Sequence, residues 1–508
     1  MKKLYAMILF GLSYLSLHAQ LSDKVWLGGY EEFPGVPGYG QFELRFQSGG
    51  LQVAQTPLAF NFESTSSVAS DPEGNLLFYS NGCEVANRNH VVMPNGSGLN
   101  PGSISEQVCP WKGYIVPQGA IALPMPGDSL RYCLMHIGAA YEPGRKLRLG
   151  PFYYSVIDMS LQNGLGDVAS KNNVLLDADL GSFTAVRHAN GRDWWVLVPE
   201  FGNVKWHTFL LSPKGFEEMP LQILALGGGA CEHHGQTSAS LNGSRIANWG
   251  DCKVTVLGFD RCAGLLGELL ELAAPTHWFA GGGTVFSPSG RYLYATSHNV
   301  LFRADLESSA PQLDTMRFSY DPWGQSPYDV PGNSFQYLAN GPDEKIYGNI
   351  PSRARYFHVL KNPEGTGIAN INFAPQDVQL PVTNIRTLPH FSNFRLYDLS
   401  GSPCDTLGIN APVSATNPTG KGQKGLSLFP NPAQDHVSLL IDPSWTLSKP
   451  VQYVLVNAFG SLVRMGEVEK GLDSQTIGLN GLPNGVYFFQ LTQAGNTLDT
   501  AKLVIFQM

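Results

Sequence analysis

The stretch SDPEGNLLFYSNG, Ser70 to Gly82, decides how the chain is read. Oxygen-bearing side chains at Asp71, Glu73 and Asn75 stand at alternate positions, as in a calcium loop. With Pro72 and Gly74, the same residues also make a tight turn ahead of an apolar strand. Recurrence separates the two readings, because a turn needs only its glycine to recur whereas a metal site needs its oxygens.

The stretch does recur. Relatives are AIALPMPGDSLRYCLM from Ala120, TAVRHANGRDWWVLV from Thr184, TSASLNGSRIANWG from Thr237, GTVFSPSGRYLYATS from Gly283 and QYLANGPDEKIYGNI from Gln336. The turn position falls at Gly74, Gly127, Gly191, Gly243, Gly290 and Glu344, at spacings of 53, 64, 52, 47 and 54 residues. SPSGR and LNGSR carry no carboxylate, so the shared element is the turn. Each unit runs from a short strand through this turn into a strongly apolar strand. A strand ending near an acidic residue follows, as in KVTVLGFDR (253–261) and VLFRADLES (300–308), and a weaker strand closes the unit. The second strand is apolar at successive positions, which predicts that both its faces are covered. Four short antiparallel strands at a pitch near 50 residues predict a β-propeller blade. Six turn copies give six blades. The N-terminal part around FELRF, paired with SNFRLYDL (392–399), gives a seventh that closes the ring. Seven blades are favoured, with six as the alternative.

Composition agrees with an all-β chain. The 508 residues exceed one core, only 15% are charged, and Gly (56) and Pro (35) are abundant. A net charge of −8 argues against a nucleic-acid partner. Residues 1–19 read as a signal peptide, with Lys2 and Lys3 ahead of a short apolar run. No other long apolar run occurs, so no transmembrane segment is expected in the mature chain. Export makes disulfides expected among the seven cysteines. Cys252 and Cys262 bracket a strand–turn–strand, and Cys83 and Cys109 flank a Gly/Asn/Pro-rich loop, so both pairs are candidates for local closure. Cys133, Cys231 and Cys404 remain, and an odd count leaves at least one thiol outside an internal bridge.

Residues 25–400 form the expected propeller and 401–425 a linker rich in Gly, Pro, Ser, Thr and Asn. Residues 426–508 hold short alternating strands and turns that predict a small β-sandwich. This block resembles the type A C-terminal sorting domain of the type IX secretion system of Bacteroidetes. The resemblance rests on Phe429-Pro430-Asn431-Pro432, on VNAFGSLV (456–463), on Leu482, Gly485 and Tyr487 of LNGLPNGVYFFQL, and on Lys502 of TAKLVI. It implies Sec export, recognition by the type IX machinery and delivery to the cell surface or medium. The sorting signal would lie in Pro430, Asn431, Pro432, Gly485, Tyr487 and Lys502. The propeller more loosely resembles the large repeat proteins that carry such tails, and that likeness implies no activity.

Chemistry is harder to find. The sequence has no Gly-x-Ser-x-Gly, His-Glu-x-x-His, phosphate loop or dinucleotide fingerprint, and the sialidase Asp box fails at Pro72 and Pro288. CEHHGQ (231–236) has metal-ligand types, but Cys231, His233 and His234 are too close together to chelate one ion easily, so a loop is the better reading. No metal, cofactor or catalytic residue is nominated. His188, His277 and His390 are expected as core or loop histidines, with lining of the channel as the other possibility. The loop SYDPWGQSPYDVPGNS (319–334) carries Tyr320, Trp323 and Tyr328 in a polar setting, which suits contact with a surface glycan or a protein. The sequence therefore favours a non-catalytic binding or adhesion module over its alternative, a secreted hydrolase or lyase acting on polysaccharide or protein.

Overall fold

The computed structural model describes residues 22–31, 35–142, 147–225, 234–250, 253–273, 282–297, 300–317, 335–350, 353–407, 426–429, 433–441, 451–457, 462–468, 474–483, 485–493 and 496–505. The chain divides into two compact units, residues 1–413 and 414–508.

Among the described residues the first unit contains seven antiparallel sheets that follow one another along the chain. Blade 1 is Val25–Tyr30, Gly40–Gln47 and Gly50–Gln55. Blade 2 is Ser67–Ser70, Leu76–Ser80, Glu84–Asn87 and Val92–Ser97. Blade 3 runs from Ala120–Pro124 through Arg131–Ala140 and Arg148–Asp158 to Asp167–Leu176. Blade 4 comprises Thr184–Arg187, Trp194–Pro199, Lys205–Ser212 and Gly215–Glu218, with Gln222–Ile223 beside the third strand. Blade 5 is His234–Ala239, Arg245–Gly250, Lys253–Asp260 and Leu265–Ala273. Blade 6 is Thr284–Phe286, Tyr292–Ser297, Val300–Asp305 and Asp314–Arg317. Blade 7 is Leu338–Asn340, Ile346–Gly348, Ala354–Leu360 and Phe373–Asn384.

The buried side chains close these sheets into a ring. Each neighbouring pair of blades shares its own apolar cluster, and the series returns on itself. One cluster joins Trp26 and Phe42 of blade 1 to Tyr347 and Phe357 of blade 7. The pleat explains how one strand serves two clusters, since successive side chains point to opposite faces. Trp194 enters the cluster of blades 3 and 4, and Trp195 enters that of blades 4 and 5. Phe78 and Tyr79 divide in the same way, as do Leu293 and Tyr294. The fold is therefore a seven-bladed propeller.

The repeated turn is what the opening stretch encodes. Gly74 has φ 89°, and its N–H donates to Asp71 O at 2.9 Å. Asp71 spends its carboxylate on the turn: Oδ1 accepts from the N–H groups of Glu73 (3.0 Å) and Asn75 (2.8 Å), and Oδ2 accepts from Asn75 Nδ2. All six turn positions have positive φ, including Glu344 at 63°, where a side chain is strained. The acidic residues that end third strands cap the next turn, as Asp260 does for the N–H groups of Cys262 and Ala263.

Two expectations are corrected. SNFRLYDL forms no strand, and blade 1 is built from the N-terminal residues alone. Cys262 bonds Cys404 rather than Cys252. Cys252 lies outside the described residues. Cys83 bonds Cys109, and Cys133 is a buried free thiol whose pKa burial pushes up.

Among the described residues the second unit contains two sheets. One orders Leu426–Phe429, His436–Ile441 and Ser474–Gly478; the other orders Leu462–Val468, Val451–Asn457, Gly485–Gln493 and Asn496–Ile505. Val437, Leu439 and Ile477 from the first meet Leu455, Phe489 and Leu503 from the second in one core, which makes it a β-sandwich.

Candidate functional site

In blades 2 to 7 the first strand lies innermost and runs towards the face that bears the six turns. The opposite face bears the blade-to-blade connections. Among the described residues blade 1 lacks an inner strand. Its first strand, Val25–Tyr30, is buried throughout, like the second strands elsewhere. The backbone carbonyls of Leu27 and Gly29 accept from Ser66 Oγ and Phe62 N–H.

Residues 386–404 run where that inner strand would be. They enter at the connection face, where Arg386 pairs with buried Glu63 at 2.9 Å and the His390 N–H donates to Ser66 O at 3.0 Å. The segment then leans across the channel, and Ser392 Oγ donates to Ala185 O at 2.8 Å in the inner strand of blade 4. It leaves at the turn face, where Asn393 Nδ2 donates to Leu241 O, Arg395 pairs with Asp23 at 2.5 Å, and the Leu399 N–H donates to Ala189 O. Arg261 donates to the Tyr397 carbonyl, and the Cys262–Cys404 bond fixes the exit. Turn glycines leave room for this passage: a Cβ on Gly191 would lie 2.8 Å from Asp398 N, and one on Gly243 would lie 2.7 Å from the Leu396 side chain.

A cavity of about 110 Å³ remains between this plug and the inner strands of blades 4 to 7. Part of its polar lining is already engaged, whereas Asn340 Oδ1 and the ring nitrogens of His390 are buried without a hydrogen-bond partner. The Gln118 amide bridges the edge of blade 5, donating to Thr237 O and accepting from Thr237 N–H. Gln236 does the same for Leu338 of blade 7 and also accepts from Thr284 N–H. A glutamine amide has the geometry of a peptide group, so each stands in for a missing neighbouring strand. His390 lines the cavity and sits edge-on to Phe183. Burial, partly offset by the Gln118 backbone, pushes its pKa down to about 3. Asp23 is held above its usual 3.8 by burial, against the pull of Arg395. A histidine and a carboxylate thus share one cavity, both perturbed, which is a mark of many active sites. They stand at opposite ends of the plug, however. The His390 N–H is bonded to Ser66 O at the connection face, whereas Asp23 holds Arg395 at the turn face. General acid and base catalysis needs both groups within hydrogen-bond reach of one substrate.

Other nominated residues fall elsewhere. His188 is a turn residue: its Nδ1 accepts from the Asn190 N–H and its Nε2 meets Cys262 O. His277, Cys231 and His233 lie outside the described residues, as do Tyr320, Trp323 and Tyr328. The loop bearing those last three connects Asp314–Arg317 of blade 6 to Leu338–Asn340 of blade 7. Sequence reading missed Asp23, Arg395, Gln118, Gln236 and Glu63, which show no local pattern. It also missed Trp111, 72% exposed, although the run Cys109-Pro110-Trp111-Lys112 marks a tethered aromatic.

In the sandwich, Leu482 and Tyr487 are both in the core, and the Tyr487 hydroxyl donates to Pro483 O at 2.7 Å, closing the turn before its strand. Gly485 and Lys502 lie in paired strands, opposite Ile505 and Phe488, while Pro430, Asn431 and Pro432 are outside the described residues. Residues 427–506 match the secretion system C-terminal sorting domain. This block is a type IX sorting tail. The tail implies export to the cell surface or beyond. Among the described residues no helix is long and apolar enough to cross a membrane.

No curated protein matches the chain in sequence. Solved structures are similar at a distance. A candidate 6-phosphogluconolactonase from Bacteroides fragilis has a TM-score of 0.44 and 11% identity over 72% of this chain and 96% of its own. The periplasmic gluconolactonase PpgL of Pseudomonas aeruginosa has a TM-score of 0.39 and 16% identity, covering 58% of this chain and 81% of its own. At such distances neither bears on activity.

Proposed function

We propose that the chain is a non-catalytic binding or adhesion module that a signal peptide and the type IX tail deliver to the cell surface or medium. The observation that supports this reading is the plugged channel. The chain's own residues 386–404 occupy the axis, where a propeller enzyme would hold its substrate, and the polar groups there hold the plug. The contact surface then falls to loops outside the channel, and Tyr320, Trp323 and Tyr328 are the aromatic residues proposed for it. The tail is read as acting through TAKLVIF (500–506), in which Lys502 is the one charged residue.

The routing is tested by a chain ending at residue 425, expressed in a host with the type IX machinery. It is expected to fold in the periplasm, with β-rich spectra, and to stay there. Arrival of that truncated chain in the medium or at the surface would remove the tail from the reading.

A further inference from the structure

The inner strand of each blade turns a free backbone edge to the axis. In an antiparallel pair the residues between ladder bonds point their N–H and C=O away from the partner strand, so every second residue does so. In blade 7 one such residue is Leu338, and its edge is covered. Gln236 Nε2 donates to Leu338 O at 3.1 Å, and Gln236 Oε1 accepts from the Leu338 N–H at 2.8 Å. By the same alternation Asn340 turns its own N–H and C=O to the axis. Its Nδ2 donates to Phe286 O, but its N–H, C=O and Oδ1 have no partner among the described residues. The cause lies in blade 5. Gln236 and Ser238 stand on one strand, His234–Ala239, and both reach towards blade 6. Gln236 Oε1 accepts from the Thr284 N–H at 3.2 Å, and Ser238 Oγ meets Thr284 Oγ1 at 3.2 Å. The glutamine is long enough to go on to blade 7, whereas the serine stops at Thr284.

Ser238 and Asn340, the two ends of this unmade bridge, both line the axial cavity of about 110 Å³. That volume is the share of about four waters, or of one molecule the size of acetamide. The groups left over specify what fills it. Asn340 offers one donor and two acceptors, and the ring of His390, 6% exposed, offers a further donor and acceptor as neutral imidazole. A primary carboxamide has two N–H donors and a carbonyl with two lone pairs, so it can pair with a backbone edge and keep one of each for Asn340 Oδ1 and His390. A carboxylate has no donor for the acceptors and would be buried as a charge. The charged residues at the turn end of the cavity, Asp23 and Arg395, pair with each other and leave no net charge to draw an ion.

We propose that this cavity binds one small neutral carboxamide, paired with the main chain of Asn340 as the Gln236 amide is paired with Leu338. The inference goes beyond the binding-module reading, which concerns loops outside the channel, and its failure leaves that reading intact. The test uses the full mature chain carrying isotope-labelled asparagine, titrated with acetamide. Acetamide is expected to shift the Asn340 backbone amide resonance and to receive saturation transfer at its methyl group. Acetate, equal in size but charged and without N–H, is expected to do neither. Ser238→Gln supplies the missing amide from the chain itself. It is expected to melt no lower than the natural chain and to weaken acetamide binding at least tenfold. Should that variant not fold, the Asn340 shift and the acetate control decide alone. Absence of both acetamide signals means that the cavity holds water only and overturns the site. Binding that a folded Ser238→Gln leaves unchanged, or that moves other asparagine amides but not Asn340, lies elsewhere and overturns it too. Equal response to acetate overturns the selection of an amide.

Discussion

Blade 4 and blade 1 solve the same packing problem with different materials. Blade 4 has its inner strand, Thr184–Arg187, laddered to Trp194–Pro199, and its two tryptophans fill the clusters on either side. Blade 1 has no inner strand among the described residues. In its place the tail of the propeller passes down the axis and is held by side chains: Arg386 on Glu63, Ser392 on Ala185, Arg395 on Asp23, and the Cys262–Cys404 bond. A backbone ladder is local and repetitive, so it is robust to single changes. A side-chain seam is a short series of individual bonds, and each one can be removed alone.

The largest expected effect comes from opening the end of that seam. The disulfide closes a span of 142 residues, for which chain entropy gives about 5 kcal/mol and measured cases more often about 2–4. Replacing Cys262 and Cys404 together by Ser should lower the urea midpoint accordingly. In hydrogen exchange, the amides of Val25–Tyr30 should lose protection more than those of Trp194–Pro199. Equal loss in both strands would mean that the seam is no weaker than a ladder.

Acid is the next lever. His390 in the plug titrates near 6.5 when unfolded and about 3 in the fold. Between those values the unfolded chain binds the proton more readily, so stability is present above about pH 6.5 and is lost as pH falls towards 3. At pH 4 the loss is at most about 3 kcal/mol, at roughly 1.4 kcal/mol per unit. His136 in blade 3 has the same downward shift from burial, though its ring meets Asn100 and Ser155. His390→Asn should therefore flatten only part of the stability profile measured from pH 7 to 4. An unchanged slope would show that the plug histidine does not sense acid.

The smallest effect belongs to the blade-7 turn. Glu344 adopts φ 63° where the turns of blades 2 to 6 place glycine. Relief of that strain, about 1–2 kcal/mol, is partly cancelled by the freedom glycine gains when unfolded. Glu344→Gly should stabilise by less than about 1 kcal/mol in thermal melts, and destabilisation would show that the side chain is needed there.

Legibility in the sequence followed the range of the interaction. The six turns were readable because positive φ selects glycine within a few residues, and the second strands because two covered faces leave an unbroken apolar run. Blade 1 was readable in part: FELRF does form its second strand, Gly40–Gln47. The role of SNFRLYDL was misread, because alternating residues that suit a strand also suit a segment that drops alternate side chains onto different blades. Cys262 has a cysteine ten residues away and bonds one 142 residues away, a choice fixed by the closed ring. The channel lining was invisible for the same reason, since Gln118 meets Thr237 and Gln236 meets Leu338 only after blades have been placed side by side.

The plug also sets an order of events. Arg386 reaches back 323 residues to Glu63, and Arg395 reaches back 372 residues to Asp23. A chain that emerges from its N-terminus presents blade 1 first and the residues that complete it last. Contacts of such long sequence separation form slowly. Until residue 404 arrives, the early blades wait with an open seam on which a folding helper or a protease can act. The sorting tail emerges only after that seam has its last piece, so the address follows the moment at which the cargo is able to close.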